Sequence, residues 1–208
     1  VVAMQEIKAT EENFPFEAIE QAGYHAEIVG QKSYNGVALI SKEPMDISHR
    51  VLPGGGEGEQ ARFIQGEYKG YVIGNLYLPN GNPKLADDGE KHAKFSYKLD
   101  WMQRLHKHMG DMLASEKPTI FMGDYNVIPE PEDCWDVKAW MGDALFAQES
   151  RLAFQGLLNL GYTDAFRQLT QGPNHYSFWD YQGGAYPKDH GIRIDHHLCS
   201  AQALDRLV

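Results

Sequence analysis

The sequence predicts an α+β fold in which two β-sheets pack face to face and helices cover them from outside. Apolar runs bounded by turn residues recur through the first third of the chain, and such runs are typical of strands. Two longer segments carry apolar residues at helical spacing, and the strands and helices do not alternate regularly. The chain has 208 residues, 42% of them apolar, so we expect residues 1–208 to form one domain.

The strands are predicted from apolar and β-branched runs that end at Gly, Pro, Asn or Ser. They cover Val1–Glu6, Tyr24–Gly30, Gly36–Ser41, Met45–Leu52, Arg62–Tyr68, Tyr71–Leu78, Thr119–Met122 and Arg193–Ser200. The second and third flank Gln31–Asn35, which suits a hairpin, and we expect the early strands to be antiparallel. The Gly-rich stretch 53–58 lacks the Lys-Ser/Thr of a P-loop, so it predicts an ordinary loop.

Three segments are predicted to be helices. Phe16–Gln21 forms a short one that ends at Gly23, and Glu149–Leu160 forms another that is closed by Gly161. The longest covers about Lys91–Ser115. Its apolar residues recur at helical spacing, which indicates a core-facing stripe: Tyr97, Trp101, Leu105, Met109 and Met112.

Composition and charge limit the class of protein. No apolar stretch reaches the length of a membrane span, so we expect no membrane partner. The two cysteines, Cys134 and Cys199, are expected to be reduced thiols in a cytoplasmic protein. The net charge of −10 weighs against nucleic acid binding, although a metal site needs acidic residues and its cation reverses the local sign. The chain starts inside an apolar run without Met, which indicates a truncated N-terminus.

Three acidic residues lie within or at the end of apolar strands. They are Glu6, Asp124 and Asp195. A carboxylate this close to a core is costly unless it is paired, and a divalent cation is an efficient partner. Oxygen-only ligands favour Mg²⁺ or Mn²⁺. For any one of these acids, a solvated strand end or a helix cap is the alternative interpretation.

Two polar pairs accompany these acids. Asp124 and Asn126 are two residues apart, so an extended backbone points both side chains at one site. An Asx turn after the strand is the alternative. Tyr77 shares a strand face with Asn75, and its phenol can donate a hydrogen bond to charge that develops on a phosphate oxygen. A half-buried structural tyrosine is the alternative there.

Five segments occur in an order that resembles a known family. They are Met-Gln-Glu-Ile-Lys (4–8), Tyr-Leu-Pro-Asn-Gly (77–81), Met-Gly-Asp-Tyr-Asn-Val (122–127), Tyr-Ser-Phe-Trp-Asp-Tyr (176–181) and Gly-Ile-Arg-Ile-Asp-His (191–196). Together they resemble exodeoxyribonuclease III of the endonuclease/exonuclease/phosphatase superfamily. This resemblance implies a four-layer α/β/β/α, DNase I-like sandwich, incomplete at both ends.

The resemblance also implies roles for individual residues. Glu6 looks like the metal-binding glutamate, and Tyr77 like the tyrosine that touches the scissile phosphate. Asp124 and Asn126 look like the pair that positions the water and the phosphate, and Asp195 like the acid that orients a catalytic histidine. Asn80, Phe178 and Trp179 look like contacts to DNA or to an abasic pocket. Arg62 and Lys98 look like the positive lining around the phosphate.

Two parts of the family pattern are missing from this sequence. The family has an Asn near the metal upstream of residue 1, and it ends with a Ser-Asp-His segment that supplies the catalytic histidine. His196 and His197 follow Asp195 directly, and we expect them to be packing or surface residues because neighbours on a strand point to opposite faces. The 208-residue chain is therefore expected to be a weak or inactive catalyst by itself.

The function that this resemblance implies is Mg²⁺-assisted (or Mn²⁺-assisted) hydrolysis of DNA phosphodiesters. The expected partner is double-stranded DNA with abasic sites or 3′ ends, and the protein is expected to act as a monomer. Two alternatives stay open. One is a phosphatase or phospholipid phosphodiesterase of the same superfamily, and the other is a non-enzymatic binding module or inactive fragment.

Overall fold

The computed structural model describes residues 1–207 and contains two facing β-sheets. The strands are β1 (Val2–Gln5), β2 (His25–Val29), β3 (Val37–Ser41), β4 (Asp46–His49), β5 (Phe63–Tyr68), β6 (Tyr71–Tyr77), β7 (Thr119–Asp124), β8 (Thr163–Asp164), β9 (Phe178–Trp179), β10 (Gly191–Ile192) and β11 (Asp195–Cys199). The helices are α1 (Phe16–Gln21), α2 (Ala93–Leu113), α3 (Val137–Trp140), α4 (Gln148–Asn159), α5 (Ala165–Leu169) and α6 (Ala201–Leu204). Short 3₁₀ turns cover Glu11–Asn13, Pro131–Asp133 and Tyr186–Lys188.

The larger sheet has six strands in the order β4-β5-β6-β7-β11-β8, and the smaller has three in the order β1-β3-β2. Neighbouring strands are antiparallel except β6 and β7, which are parallel and are connected through α2. A parallel pair needs a long crossover, and α2 supplies it. Strands β9 and β10 form a separate two-stranded ribbon. The predicted two-layer sandwich with outer helices is confirmed.

The larger sheet is buried on both faces because apolar side chains alternate along its strands. On β5, Phe63 faces the helices and Ile64 faces the smaller sheet. The helix-side core combines sheet residues with α2 and α4, and its largest buried side chains are Trp101, Tyr125, Phe63, Phe121 and Phe154. The core between the two sheets includes Val37, Leu39, Ile64 and Ile73.

One strand is shorter than predicted. The run Met45–Leu52 predicts a strand along its whole length, but β4 ends at His49 and carries a bulge between Ile47 and His49. Arg50 turns away because its guanidinium donates to the carbonyl oxygen of Ile28 at 2.8 Å and to Glu27 at 2.6 Å. Leu52 then enters the helix-side core.

Other predictions are confirmed with shifted ends. Helix α2 covers Ala93–Leu113 rather than 91–115, and the chain between residues 53 and 58 is a loop. Both cysteines are free and buried. Across residues 1–207 the structure contains no helix whose length and apolar character would let it cross a membrane.

Candidate active site

Three of the predicted site residues lie in one row across adjacent strands of the larger sheet. Tyr77 and Asp124 are register partners on β6 and β7, and Asp195 on β11 is the partner of Asp124. Tyr77 and Asp124 end their strands, and Asp195 begins its own. Since β11 runs antiparallel to β7, all three residues lie at the same rim of the sheet. Side chains that are far apart in sequence are thus brought together.

Glu6 joins this row from the smaller sheet. It directly follows β1, and its Oε1 accepts a hydrogen bond of 3.0 Å from the phenol of Tyr77. Its Oε2 is 2.9 Å from the ammonium of Lys8. Burial raises the pKa of Glu6, but the hydrogen bonds from Lys8 and Tyr77 outweigh it, so the pKa lies below its ordinary value. The carboxylate is therefore ionised at neutral pH.

A buried amide fixes the position of β1 against the larger sheet. The Nδ2 of Asn75 donates to the carbonyl oxygens of Met4 and Ala38, at 2.9 and 2.8 Å. Its Oδ1 accepts from the Nε2 of Gln5 at 2.7 Å. Since Gln5 precedes Glu6, this bridge between the sheets also sets where the Glu6 carboxylate lies.

Asp124 and Asn126 meet through an Asx turn, which the sequence left as the alternative. The prediction that an extended backbone points both side chains at one site is therefore wrong. Asn126 has a left-handed φ of +48°, which Asn tolerates better than most residues. Its backbone N–H donates to Oδ1 of Asp124 at 2.7 Å, and its Nδ2 donates to Oδ2 at 3.1 Å. This Asx turn holds the carboxylate by both oxygens.

The Asp124 carboxyl is mostly protonated at neutral pH, which is unusual for an aspartate. Burial raises its pKa to about 8, and the nearby carboxylates of Asp195 and Glu6 add to the rise. The N–H of Asn126 and the charge of Lys98 oppose it. Burial also raises the pKa of Asp195, although the hydroxyl of Ser177 partly offsets this. A rim with clustered carboxyls and raised pKa values favours binding of a proton or a cation.

Tyr77 keeps its proton at every physiological pH. Burial raises the pKa of its phenol well above the ordinary value, and the adjacent Glu6 and Asp124 raise it further. The phenol is therefore a permanent hydrogen-bond donor at this rim.

The two basic residues that were expected to line the phosphate differ in exposure, since Arg62 is partly exposed beside Tyr77 and Lys98 is buried. The Nη1 of Arg62 donates to the carbonyl oxygen of Tyr77 at 3.1 Å, and its guanidinium carbon is 4.7 Å from the centre of the Tyr77 ring. Lys98 is fully buried, with its Nζ 3.1 Å from the carbonyl oxygen of Asn80 and 2.5 Å from that of Asn126. In this structure Lys98 has no surface to present to a phosphate, so its predicted role as a lining residue is corrected.

Asn80 is exposed beside the row. Its Nδ2 donates to Oδ1 of Asn126 at 3.1 Å, and its own Oδ1 accepts from the side chain of Asn82 at 2.9 Å. Asn82 also accepts from the backbone N–H of Ala144 and donates to Asp143. This network fixes the orientation of the Asn80 amide.

Phe178 and Trp179 form β9, and they line a surface cavity of about 470 Å³. Tyr181, Ala185 and Tyr186 share its wall. Trp179 is held by a hydrogen bond of 3.0 Å from its Nε1 to Asp189 and by edge-on contact with the ring of Tyr186.

Ser177 connects this aromatic cavity to the carboxylate row. Its Oγ accepts from the backbone N–H groups of Ile194 and Asp195, both at 3.0 Å. Ser177 lines the aromatic cavity and also a second cavity of about 360 Å³ that contains Asp195. Ser177, Lys8 and Asn75 were not predicted from the sequence as site residues. For Asn75 the signal was available, since it shares the strand face of Tyr77 and interrupts an apolar strand.

The two histidines after Asp195 differ from each other. His196 is fully buried, where Nε2 lies 3.0 Å from the carbonyl oxygen of Val127 and Nδ1 lies 2.9 Å from Arg193. His197 is exposed and lines the same cavity as Asp195. Residues two apart on a strand share a face, so the argument from opposite faces holds for His196 and is wrong for His197.

The rim has the donor chemistry of a hard-cation site without a closed ligand cage. Within residues 1–207, no three His, Cys, Asp or Glu side chains are close enough together to hold a metal ion. Mg²⁺ commonly binds one or two carboxylates and keeps several waters. The ionised, half-exposed Glu6, whose Oε1 lies 3.0 Å from the phenol oxygen of Tyr77, fits that mode.

The fold and this rim define a class of β-sandwich hydrolases with a carboxylate-lined site between the two sheets. The chain belongs to the endonuclease/exonuclease/phosphatase family, whose model matches residues 1–208. It is similar to exodeoxyribonuclease III of Haemophilus influenzae, at 33% identity over all of this chain and 80% of that protein. The predicted resemblance is confirmed.

Two solved structures share the fold closely. The 3′ phosphatase NExo from Neisseria, bound to a product DNA hairpin, superposes with a TM-score of 0.89 at 33% identity. An AP endonuclease from Archaeoglobus fulgidus superposes with a TM-score of 0.88 at 29% identity. Each comparison covers 98% of this chain and 77% of the other.

Proposed function

We propose that this protein is a DNA-repair nuclease of the exodeoxyribonuclease III type that hydrolyses DNA phosphodiesters at abasic sites and 3′ ends. One observation carries the proposal. The row of Tyr77, Asp124 and Asp195 meets Glu6 at a rim that adjoins an aromatic cavity through Ser177. A reacting phosphate and a displaced sugar therefore have neighbouring places to bind.

The residues of the rim have distinct tasks in this proposal. Asp124 holds the attacking water in this proposal. With a pKa of about 8, only the ionised fraction of the carboxyl can accept a proton from that water, and this fraction grows as pH rises toward 8. Tyr77 donates a hydrogen bond to a phosphate oxygen as charge develops there. Asp195 orients the catalytic histidine that the family's Ser-Asp-His segment supplies. Asn126 keeps both oxygens of Asp124 in place.

Glu6 is the residue that we propose as the ligand of Mg²⁺ or Mn²⁺. When bound, such a cation polarises the phosphate and stabilises the leaving oxygen. Glu6 must give up its ion pair with Lys8 to bind it. That exchange is inexpensive because both side chains are substantially exposed, and exposed ion pairs are worth at most about 1 kcal/mol.

Substrate selection is proposed to come from the cavity of Phe178 and Trp179. A sugar without a base leaves the helical stack at a lower cost than an intact nucleotide, so it enters an apolar pocket more readily. The volume of about 470 Å³ lies in the range of small-molecule sites. Asn80, whose amide is exposed beside Asn126, is proposed to contact the DNA backbone.

Removal of a 3′ phosphate by the same rim is a second candidate activity. The Neisseria relative that superposes at a TM-score of 0.89 is described as a 3′ phosphatase. A terminal phosphate needs the same hydrogen-bond donors and cation as an internal one, so both activities can share these residues.

We also propose that the protein acts as a monomer in the cytoplasm. All of the site residues above come from one chain, and both cysteines are free and buried, which suits a reducing compartment.

The test compares Glu6→Ala and Asp124→Ala with wild type in the full-length protein. Each substitution is expected to reduce cleavage of an abasic duplex at least about a hundredfold, because each removes a group that acts on the reacting atoms. Glu20→Ala removes an exposed carboxylate on α1 and serves as the control. Near-wild-type cleavage rates in both site variants would contradict the proposal. Parallel assays on an inositol phosphate and a sphingolipid test the phosphatase and phospholipid alternatives.

A further inference from the structure

A fully buried lysine lies directly under the two asparagines of the candidate site. Lys98 is on α2, and its Nζ donates to the carbonyl oxygen of Asn80 at 3.1 Å and to that of Asn126 at 2.5 Å. These residues belong to two different loops, one after β6 and one after β7. Lys98 is the one side chain in residues 1–207 that donates to the backbones of both asparagines.

The side chains of the same two asparagines meet on the site side. Nδ2 of Asn80 donates to Oδ1 of Asn126 at 3.1 Å, and Asn126 in turn holds both oxygens of Asp124. The distance between the two loop backbones thus sets the distance between the two amides. A donor that bridges the backbones from below controls that separation.

The packing around Lys98 leaves it no route to solvent. Gly81 has a left-handed φ of +89°, and a Cβ there would lie 2.6 Å from Cδ of Lys98 and 3.3 Å from its Cβ. The loop backbone therefore closes over the lysine stem. A charged residue is rarely buried so completely without a partner, and the partners here are carbonyl oxygens.

We propose that Lys98 is a positioning residue, and this proposal rests on the proposed function. Lys98 sets the positions of Asn80 and Asn126 and, through Asn126, the position of Asp124. It acts on the reaction without touching the DNA. Displacements of about 1 Å in a catalytic group can cost about a hundredfold in rate. Loss of Lys98 therefore reduces kcat and leaves the electrostatic part of DNA binding unchanged.

The test uses Lys98→Met in the full-length protein, with Lys94→Met as the matched control. Lys94 is one turn earlier on α2 and exposed, so both variants replace a lysine by methionine on the same helix. We expect Lys98→Met to lower kcat on an abasic duplex tenfold to about a hundredfold, with a smaller change in KM that arises through Asn80. The slope of log Kd for DNA against log salt, measured without divalent metal, is expected to equal that of wild type. A lysine that contacts phosphate would reduce this slope by about one unit, and that result would overturn the proposal.

A second variant covers the case in which Lys98→Met does not fold. Lys98→Gln keeps an N–H donor on a shorter stem, and we expect an intermediate loss of kcat. The side-chain amide signals of Asn80 and Asn126 in ¹H–¹⁵N spectra provide a readout that does not need activity. They are expected to shift in the Lys98 variants and not in Lys94→Met, and unmoved signals would refute the positioning role. An inactive wild-type protein would refute the proposed nuclease, while these spectra would still decide the role of Lys98.

Discussion

The Asp124 carboxyl has two properties that seldom occur together. Hydrogen bonds fix its position, and yet its pKa is raised. Two donors of Asn126 favour its charged form. Burial and the neighbouring Asp195 disfavour that form more strongly, and the result is a pKa of about 8. Fixed geometry with a pKa near neutrality is what a group needs if it is to take a proton from water.

This balance predicts a pH-dependent effect of Asp124→Asn on stability. The folded pKa is raised above the ordinary value near 4, so ionising Asp124 costs stability as pH rises from about 4 to about 8. Asparagine cannot ionise. In EDTA, we expect Asp124→Asn to gain at least about 1 kcal/mol relative to wild type between pH 5 and pH 8.5, since one pKa unit is worth about 1.4 kcal/mol.

Urea unfolding of the full-length protein at several pH values measures this difference. Asp87→Asn changes an exposed carboxyl and is expected to show no such trend. A gain for Asp124→Asn that is the same at pH 5 and pH 8.5 would show that its pKa is not raised. Activity of the same variant is expected to fall about a hundredfold.

At the scale of elements, the strand that carries Asp195 is held by a buried charge cluster. Arg193 donates to both oxygens of Asp133, at 2.7 and 3.1 Å, and to Asp164 at 2.7 Å. Arg167 is a further ion-pair partner of Asp133. The cluster ties the stretch after β7, which contains Asn126, to the segment directly before β11, the strand that begins at Asp195.

This cluster predicts a large loss of stability in Asp133→Ala. The substitution leaves Arg193 buried without its main partner, and breaking such a pair costs about 3–5 kcal/mol. Burial raises the pKa of Asp133, but the hydrogen bonds and charges of Arg193 and Arg167 outweigh it and hold the pKa below its ordinary value. The stabilisation is therefore present above about pH 4 and is lost as pH falls through that lowered pKa.

Chemical denaturation at pH 7 and pH 3 measures the loss of stability in Asp133→Ala and its dependence on pH. Glu132→Ala is the control, because Glu132 is exposed and lies 3.9 Å from Arg167, where an ion pair contributes at most about 1 kcal/mol. Asp133→Leu combined with Arg193→Met is expected to be less destabilised than the sum of the single variants. A loss below 1 kcal/mol in Asp133→Ala would contradict the argument.

Helices and strands with a long apolar periodicity were predicted well from the sequence. Short elements that depend on contacts with distant residues were predicted poorly. Helix α2 was predicted within two residues at each end, because its apolar stripe of Trp101, Leu105 and Met109 is unambiguous. The two-residue strands β8, β9 and β10 were not predicted, since two residues carry no period. Their pairing depends on partners distant in sequence, such as Gly191 with Trp179.

The same limit applies to the site. Apolar context and family motifs identified Glu6, Tyr77, Asp124 and Asp195, and the structure brings them to one rim. Sequence could not reveal whether a basic residue points outward or inward. Lys98 was predicted to line the phosphate but lies under the site, because Gly81 and the two loop backbones close over it.

On the scale of the whole molecule, the net charge of −10 opposes approach of DNA, and the rim adds further carboxylates. Glu6 directly follows β1 of the smaller sheet, whereas Tyr77, Asp124 and Asp195 belong to the larger sheet. The repulsion among these carboxylates therefore acts between the two layers of the sandwich. A divalent cation at Glu6 would relieve that repulsion and lower the electrostatic cost of bringing a DNA phosphate to the rim.

Mg²⁺ is predicted to stabilise the folded full-length protein through Glu6. A ligand that binds only the folded state at a hundred times its Kd adds about 2.7 kcal/mol, which raises the midpoint of thermal unfolding by several degrees. Glu6→Gln removes the charge and keeps the size, so we expect most of that rise to disappear. NaCl at equal ionic strength controls for screening, and Glu20→Ala controls for loss of one carboxylate. An equal Mg²⁺ shift in Glu6→Gln and wild type would place the cation elsewhere.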